Sequence, residues 1–184
     1  TVYFQDDFSW TARASGSALL ATNTDWINTY CTTDTMIRFD KLEEEGTSLQ
    51  GWSYDSSKKS VYTRPGYIHL NSSSAQGLLI SPALAAISGT DDVEVSFDAT
   101  YFYQYFSKTA DTNKSLTIAL RGAGTIDGAT DGVLTVTLSR GNAWEGFTFR
   151  VLGADATTQV LFGPAAASKN RVQFDNLRVV SLTK

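Results

Sequence analysis

Residues 93–105, Val-Glu-Val-Ser-Phe-Asp-Ala-Thr-Tyr-Phe-Tyr-Gln-Tyr, place Val93, Val95, Phe97, Ala99, Tyr101 and Tyr103 on one side and polar side chains on much of the other. A period of two marks a strand with one face in a core. The pattern returns at 115–121 (Leu116, Ile118, Leu120), 133–140 (Leu134, Val136, Leu138) and 145–151 (Phe147, Phe149, Val151), with further runs at 158–162 and 171–181. Clusters such as Ser88-Gly-Thr-Asp-Asp, Arg121-Gly-Ala-Gly, Asp127-Gly, Asp131-Gly and Arg140-Gly-Asn separate the runs and supply turn chemistry. Strands joined in this way make antiparallel layers rather than βαβ units, so an all-β, two-sheet sandwich is expected. At 184 residues and 42% hydrophobic, the chain suits one domain over 1–184.

Both ends of the chain place acids within apolar alternation. In the last strand Asp175 shares the parity of Leu177 and Val179, which predicts a carboxylate on the apolar face. Near the start, Asp6 lies among Phe4, Phe8 and Trp10, while Asp7 points the other way. A buried carboxylate must be paired, protonated or bound to a metal. Acids at both ends point to a site where the termini meet. Asp6, Asp7 and Asp175 would there supply oxygen ligands to a hard cation, helped by carbonyls of 15–25 and by Asp25. The alternative is an ordinary ion pair, such as Asp175 with Arg171 or Arg13.

Between 11 and 60 the pattern is less regular. Trp26, Tyr30, Trp52 and Tyr54 stand among Ser, Thr, Asn and Gly, which predicts long loops, where function tends to sit. A helical turn is expected within 34–45, and a short turn of helix at 81–87, where Pro82 suits a first helical position.

The net charge of −4 and the scattered basic residues argue against nucleic acid or an anionic membrane as partner. No apolar run approaches the ~18 residues of a membrane span. The opening Thr-Val-Tyr-Phe-Gln resembles neither a signal peptide nor an initiator start, so a mature or excised piece of a longer protein is expected. Cys31 is the single cysteine, which excludes an internal disulfide and a Cys-rich zinc site; its ordinary role is that of a small buried residue.

Several segments together resemble the MAM-like jelly-roll modules of bacterial, especially Bacteroidetes, secreted proteins, of the cleaved-adhesin and "choice-of-anchor" type. They are the strand Phe4 to Phe8, Gly51-Trp52, Gly77-Leu-Leu-Ile-Ser-Pro-Ala-Leu84, the strand beginning at Val93, and Phe174-Asp-Asn-Leu-Arg-Val179. The last is also similar to the terminal strand of calcium-binding carbohydrate-binding modules. The resemblance implies a jelly roll of the concanavalin A or galactose-binding-like kind and an extracellular, cell-surface or periplasmic place. It also implies a structural calcium near the termini and adhesive or glycan-binding roles. Carried over by residue, the acids are Asp6, Asp7 and Asp175. Asn176 departs from the pattern, because many such modules have a second acid there; an amide still offers an oxygen, with less charge.

Catalytic chemistry finds little support. Glycoside hydrolysis needs two carboxylates roughly 5–10 Å apart across a cleft, and the Glu-x-Asp-x-x-Glu spacing of sandwich glucanases is absent from the strand-like runs. Glu43-Glu44-Glu45 reads as a solvated charge run. His69 shares parity with Tyr67 and Asn71 and is expected on a strand surface; no Gly-x-Ser-x-Gly elbow accompanies it. Trp26, Tyr30, Trp52, Tyr54 and Trp144 are the candidates for stacking on sugar rings, with core packing as the ordinary alternative for each. Tyr101, Tyr103 and Tyr105 line a sheet face if their strand outruns the core, and are core otherwise. The expectation is a non-catalytic, monomeric carbohydrate-binding or adhesive module with a structural calcium, whose partner is a glycan or surface protein. A spacer or protein-interaction module and a small glycoside hydrolase or lyase are the alternatives.

Overall fold

Strands form where the period-two residues stand. The structure, a computed structural model, describes residues 1–11, 36–104, 109–141 and 143–183. Its strands are β1 (Val2–Asp6), β2 (Ile37–Arg38), β3 (Ser53–Lys59), β4 (Val61–Arg64), β5 (Tyr67–Leu70), β6 (Gly77–Ile80), β7 (Asp91–Tyr101) and β8 (Tyr103–Gln104), then β9 (Thr109–Ala110), β10 (Ser115–Arg121), β11 (Thr125–Ile126), β12 (Leu134–Thr137), β13 (Glu145–Ala154), β14 (Gln159–Pro164) and β15 (Val172–Ser181). A short helix, α1 (Phe39–Glu44), follows β2.

The larger sheet has eight strands in the order β11-β13-β7-β15-β5-β4-β2, with β1 added against β15. The smaller sheet runs β12-β10-β14-β6-β3, and β8 pairs with β9. The pairings between named strands are antiparallel. The fold is therefore the expected all-β sandwich of two antiparallel sheets.

The core lies between the sheets. Val93, Val95, Phe97 and Ala99 of β7 and Val172, Phe174, Leu177 and Val179 of β15 face Leu116 and Ile118 of β10 and Val160 and Phe162 of β14. Phe97, Phe162 and Phe174 meet at centroid distances of 4.5–5.3 Å and join the layers. Burying one such ring stabilises the fold by roughly 1.5–3 kcal/mol.

The helical turn expected within 34–45 is α1, which buries Phe39 and Leu42, three residues apart on one face. Residues 81–87 form a turn closed by Ile87 N–H on the Leu84 carbonyl (3.0 Å), not a helix. β7 ends at Tyr101, which packs on the core rim; Tyr103 belongs to β8, and Tyr105 lies outside the described residues.

The chain ends do meet. Asp6 of β1 stands opposite Leu177 of β15. Nearby, the Asp91 carboxylate accepts the hydroxyls of Tyr3 (2.7 Å), Ser181 (2.5 Å) and Thr183 (2.5 Å), tying both termini to β7.

One irregularity decides where Asp175 points. Asp175 pairs with Asp98, but Arg178 pairs with Ser96, so β15 carries one extra residue between them. Asn176 takes the positive φ (53°) of this bulge. The bulge reverses parity: Val172 and Phe174 face the core before it, Leu177 and Val179 after it. Asp175 therefore shares the outer face with Gln173 and not, as its spacing from Leu177 predicts, the core face.

Candidate functional site

The outer face of the larger sheet carries a polar row where solvated side chains would be ordinary. Tyr62, His69, Gln173 and Thr100 are cross-strand neighbours on β4, β5, β15 and β7. His69 is 2% exposed, and Gln173 and Thr100 are fully buried. His69 Nδ1 donates to Gln173 Oε1 at 3.0 Å, while the Gln173 Nε2 group has no partner among the described residues. Burial first, and then the positive charges of Arg64 and Arg171, push the His69 pKa down to about 3, so the imidazole is neutral at ordinary pH.

Aromatic rings frame this row. Tyr62 and Phe102 approach His69 edge-on at 5.8 and 5.7 Å. The Arg171 guanidinium lies over Phe102 at 4.0 Å and grips Asp111 with two prongs, Nε to Oδ2 (2.9 Å) and Nη2 to Oδ1 (2.7 Å). Burial opposes ionisation of Asp111, but the hydrogen bonds and charge of Arg171 outweigh it and hold that carboxyl below its ordinary range. Trp144 stands edge-on to buried Tyr67 at 5.5 Å, and its buried Nε1–H has no acceptor among the described residues. The segment carrying Trp144 is clamped to the end of β7. Thr100 Oγ1 donates to the Arg140 carbonyl (2.6 Å) and accepts from Ala143 N–H (3.2 Å). Gly141 lies so close to the Tyr101 ring that an added Cβ would come within 2.4 Å of it. Tyr62, Phe102 and Trp144 are half-buried, so they rim a polar floor that retains unused donors.

The acids meet at the seam of the chain ends. Asp175 is fully buried; its Oδ1 accepts Asn176 N–H (2.7 Å) and its Oδ2 has no partner among the described residues. Burial, together with the nearby charges of Asp98, Asp7 and Asp6, outweighs that hydrogen bond and pushes the Asp175 pKa up to about 9. Asn176 Nδ2 donates to Asp98 Oδ2 (2.9 Å). Asp6 is committed elsewhere: Oδ1 accepts Phe8 N–H (2.7 Å), and Oδ2 accepts the indoles of Trp52 (2.7 Å) and Trp10 (3.1 Å). Asp7 Oδ1 accepts Ser9 N–H (3.0 Å). Among the described residues, no three His, Cys, Asp or Glu side chains stand at metal-ligating spacing. Among the described residues Asp175 therefore keeps one buried oxygen unpartnered, whereas both oxygens of Asp6 are occupied.

The expected aromatics separate. Trp52 is 3% exposed and packs on Phe8 at 4.9 Å and Phe4 at 5.9 Å, within the core cluster. Its indole needed an acceptor, and Asp6 is that acceptor. Tyr54 is half-buried, edge-on to Phe39 at 6.5 Å; a hydrogen bond to Glu43 pushes its pKa up to about 12. Trp144 alone of the described candidates joins the outer face. Trp26, Tyr30, Asp25 and Cys31 lie outside the described residues. His69 sits on the outer face, as its parity requires, but buried and not on the surface. Gln173, Thr100, Tyr62 and Phe102 escaped the sequence reading. The available signal was Gln173, a polar residue between core-facing Val172 and Phe174 in a strand that proves central.

No family model matches the chain, and no curated protein does. Solved structures similar to it include a CBM4 carbohydrate-binding module (16% identity, 71% of this chain and 78% of that one, TM-score 0.42). Another is the module TmCBM61 in complex with β-1,4-galactotriose (13%, 74% and 92%, 0.46). A third is the K3 cleaved adhesin domain of Lys-gingipain from Porphyromonas gingivalis (12%, 64% and 75%, 0.42). The geometry of this chain carries its own functional argument.

Proposed function

We propose that this protein is a non-catalytic carbohydrate-binding or adhesive module whose saccharide lies on the outer face of the larger sheet. The observation that carries this reading is the pair of buried, unbonded donors, Trp144 Nε1–H and Gln173 Nε2–H, beneath half-buried rings. An unmet buried donor costs about 1–3 kcal/mol, so folded proteins seldom keep one without a use. Sugar hydroxyls accept such donors, and their C–H faces pack on rings such as Tyr62, Phe102 and Trp144. Catalysis is not part of the reading. Asp98 and Asp175 are neighbours within one sheet, linked through Asn176, and do not flank a bond across a cleft.

A calcium ion at the seam belongs to the same proposal. Asp175 Oδ2 and the free oxygen of Asp7 would hold it, with Asp98 adding charge; Asp6 would position the loop through the two indoles. The ion would supply positive charge where a buried carboxylate otherwise stays protonated. Its role is to staple the terminal strands, away from the saccharide site on the outer face.

An extracellular or cell-surface place suits a glycan or surface-protein partner. No helix among the described residues is long and apolar enough to cross a membrane. A glycan-array screen followed by calorimetric titration tests the function. Binding of at least one glycan at a Kd of about 10 μM to 1 mM, roughly −4 to −7 kcal/mol, supports it; silence across the array refutes it.

A further inference from the structure

A groove of about 600 Å³ opens at the joined chain ends, on the seam between β1 and the bulge of β15. That size lies within the range of small-molecule sites. Phe4, Gln5, Asp7, Trp10, Gln50 and Arg178 are among the residues lining it. We propose that it is a second saccharide subsite, taking the neutral end of a glycan; this rests on the sugar-binding reading but uses none of Tyr62, His69, Phe102, Trp144 and Gln173.

Trp10 is a fixed plate. Its Nε1–H is tied to Asp6, and its ring leans on Phe8 (6.3 Å) and Phe39 (6.1 Å). Gln5 and Arg178 stand directly opposite one another in the β1–β15 register, and both are exposed. One amide and one guanidinium side by side offer several donors and an acceptor to adjacent hydroxyls. Gln50, also in the lining, adds a donor and an acceptor. Gln50 and Asn176, both lining residues, and Phe8, within the same turn as Asp7 and Ser9, hold positive φ values of 56°, 53° and 54°. Such conformations are disfavoured in residues with a Cβ and gather at ligand clamps.

Charge narrows the ligand. In the calcium-free protein Asp6 and Asp7 against Arg178 leave the lining net negative, and Asp98 lies close behind, bonded to the lining residue Asn176. A uronate, sulfate or phosphate would meet that field, whereas a neutral pyranose would not. Mixed donors and acceptors beside a pinned indole suit hydroxyls and a C–H face.

The test is calorimetric titration in chelator with cellohexaose, xylohexaose and β-1,4-galactotriose, and with trigalacturonate as the charged comparator. Four proteins are compared: wild type, Gln5→Ala/Arg178→Ala, Trp144→Phe and the combination, each checked for an unchanged melting midpoint. Removing exposed Gln5 and Arg178 side chains leaves the core intact. A neutral oligosaccharide should occupy two classes of site in the wild type. The Gln5/Arg178 variant should weaken one class at least tenfold and spare the other, which Trp144→Phe weakens; the combination should lose both, and trigalacturonate should not enter the seam. Wild-type binding that the Gln5/Arg178 variant does not change overturns the subsite, even if the outer face stands. Loss in that variant alone, with no effect of Trp144→Phe, upholds the subsite and refutes the outer-face reading. Binding of trigalacturonate through Arg178 or of no saccharide at all also overturns the proposal.

Discussion

Trp52 donates its indole N–H to the Asp6 carboxylate over 2.7 Å, tying the entry to β3 to the end of β1. The aromatic cluster of Phe4, Phe8, Trp10 and Trp52 is thus built around a carboxylate, and each indole satisfies a group that burial would otherwise penalise.

Trp52→Phe should therefore lower stability by about 1–3 kcal/mol, the penalty of a lost partner on a part-buried charge. Trp52→Ala should cost about 3–5 kcal/mol, the range for an aromatic removed from a core. Urea denaturation measures both. A Trp52→Ala protein as stable as wild type would remove Trp52 from the core.

Asp175 ties stability to cations and to pH. Without a divalent cation its folded pKa lies well above its unfolded one, so the fold holds a proton that the unfolded chain releases. Stability is then fully present below about pH 4 and falls as pH rises toward 9. Millimolar calcium should oppose that fall, adding about 2.7 kcal/mol at 100 times Kd. Asp175→Asn should lose both the calcium gain and this part of the pH slope. Melts in calcium and in chelator at pH 7.5 decide the matter; identical wild-type midpoints would contradict the cation.

His69 works in the opposite direction. Its folded pKa is depressed to about 3 by burial and by Arg64 and Arg171, against roughly 6.5 when unfolded. Its contribution is present above pH 6.5 and is lost as pH falls toward 3, at up to about 1.4 kcal/mol for each pH unit. His69→Gln should flatten the loss between pH 6.5 and 4.5 relative to wild type. Parallel slopes in urea titrations would mean that the imidazole accepts a proton in the fold.

Much of the fold was legible because the alternation of β7, β10 and β13 is local. The meeting of the chain ends was legible too, from apolar strands that each carried an acid. The face of Asp175 was not. A one-residue bulge reverses every side chain beyond it, and its only local sign is Asn176, a residue type that tolerates positive φ. His69 shows the same limit: parity gave its face, but its burial depends on distant segments packing over β5. Trp52 and Trp144 look alike in sequence, each between one small residue and one polar residue. What separates them is the partner of each indole N–H, a contact 46 residues away for Trp52 and no contact for Trp144.

The central claim is that the unmet donors on the outer face await a saccharide, and Trp144→Phe tests it most directly. The exchange removes one N–H and keeps an aromatic ring. Because that N–H has no partner among the described residues, the melting midpoint should hold or rise slightly. Titration with the best glycan from an array should show affinity at the outer face falling about 5- to 10-fold, the worth of about 1 kcal/mol or slightly more for one hydrogen bond. Unchanged affinity in the variant, or the absence of any glycan ligand for the wild type, would contradict the account.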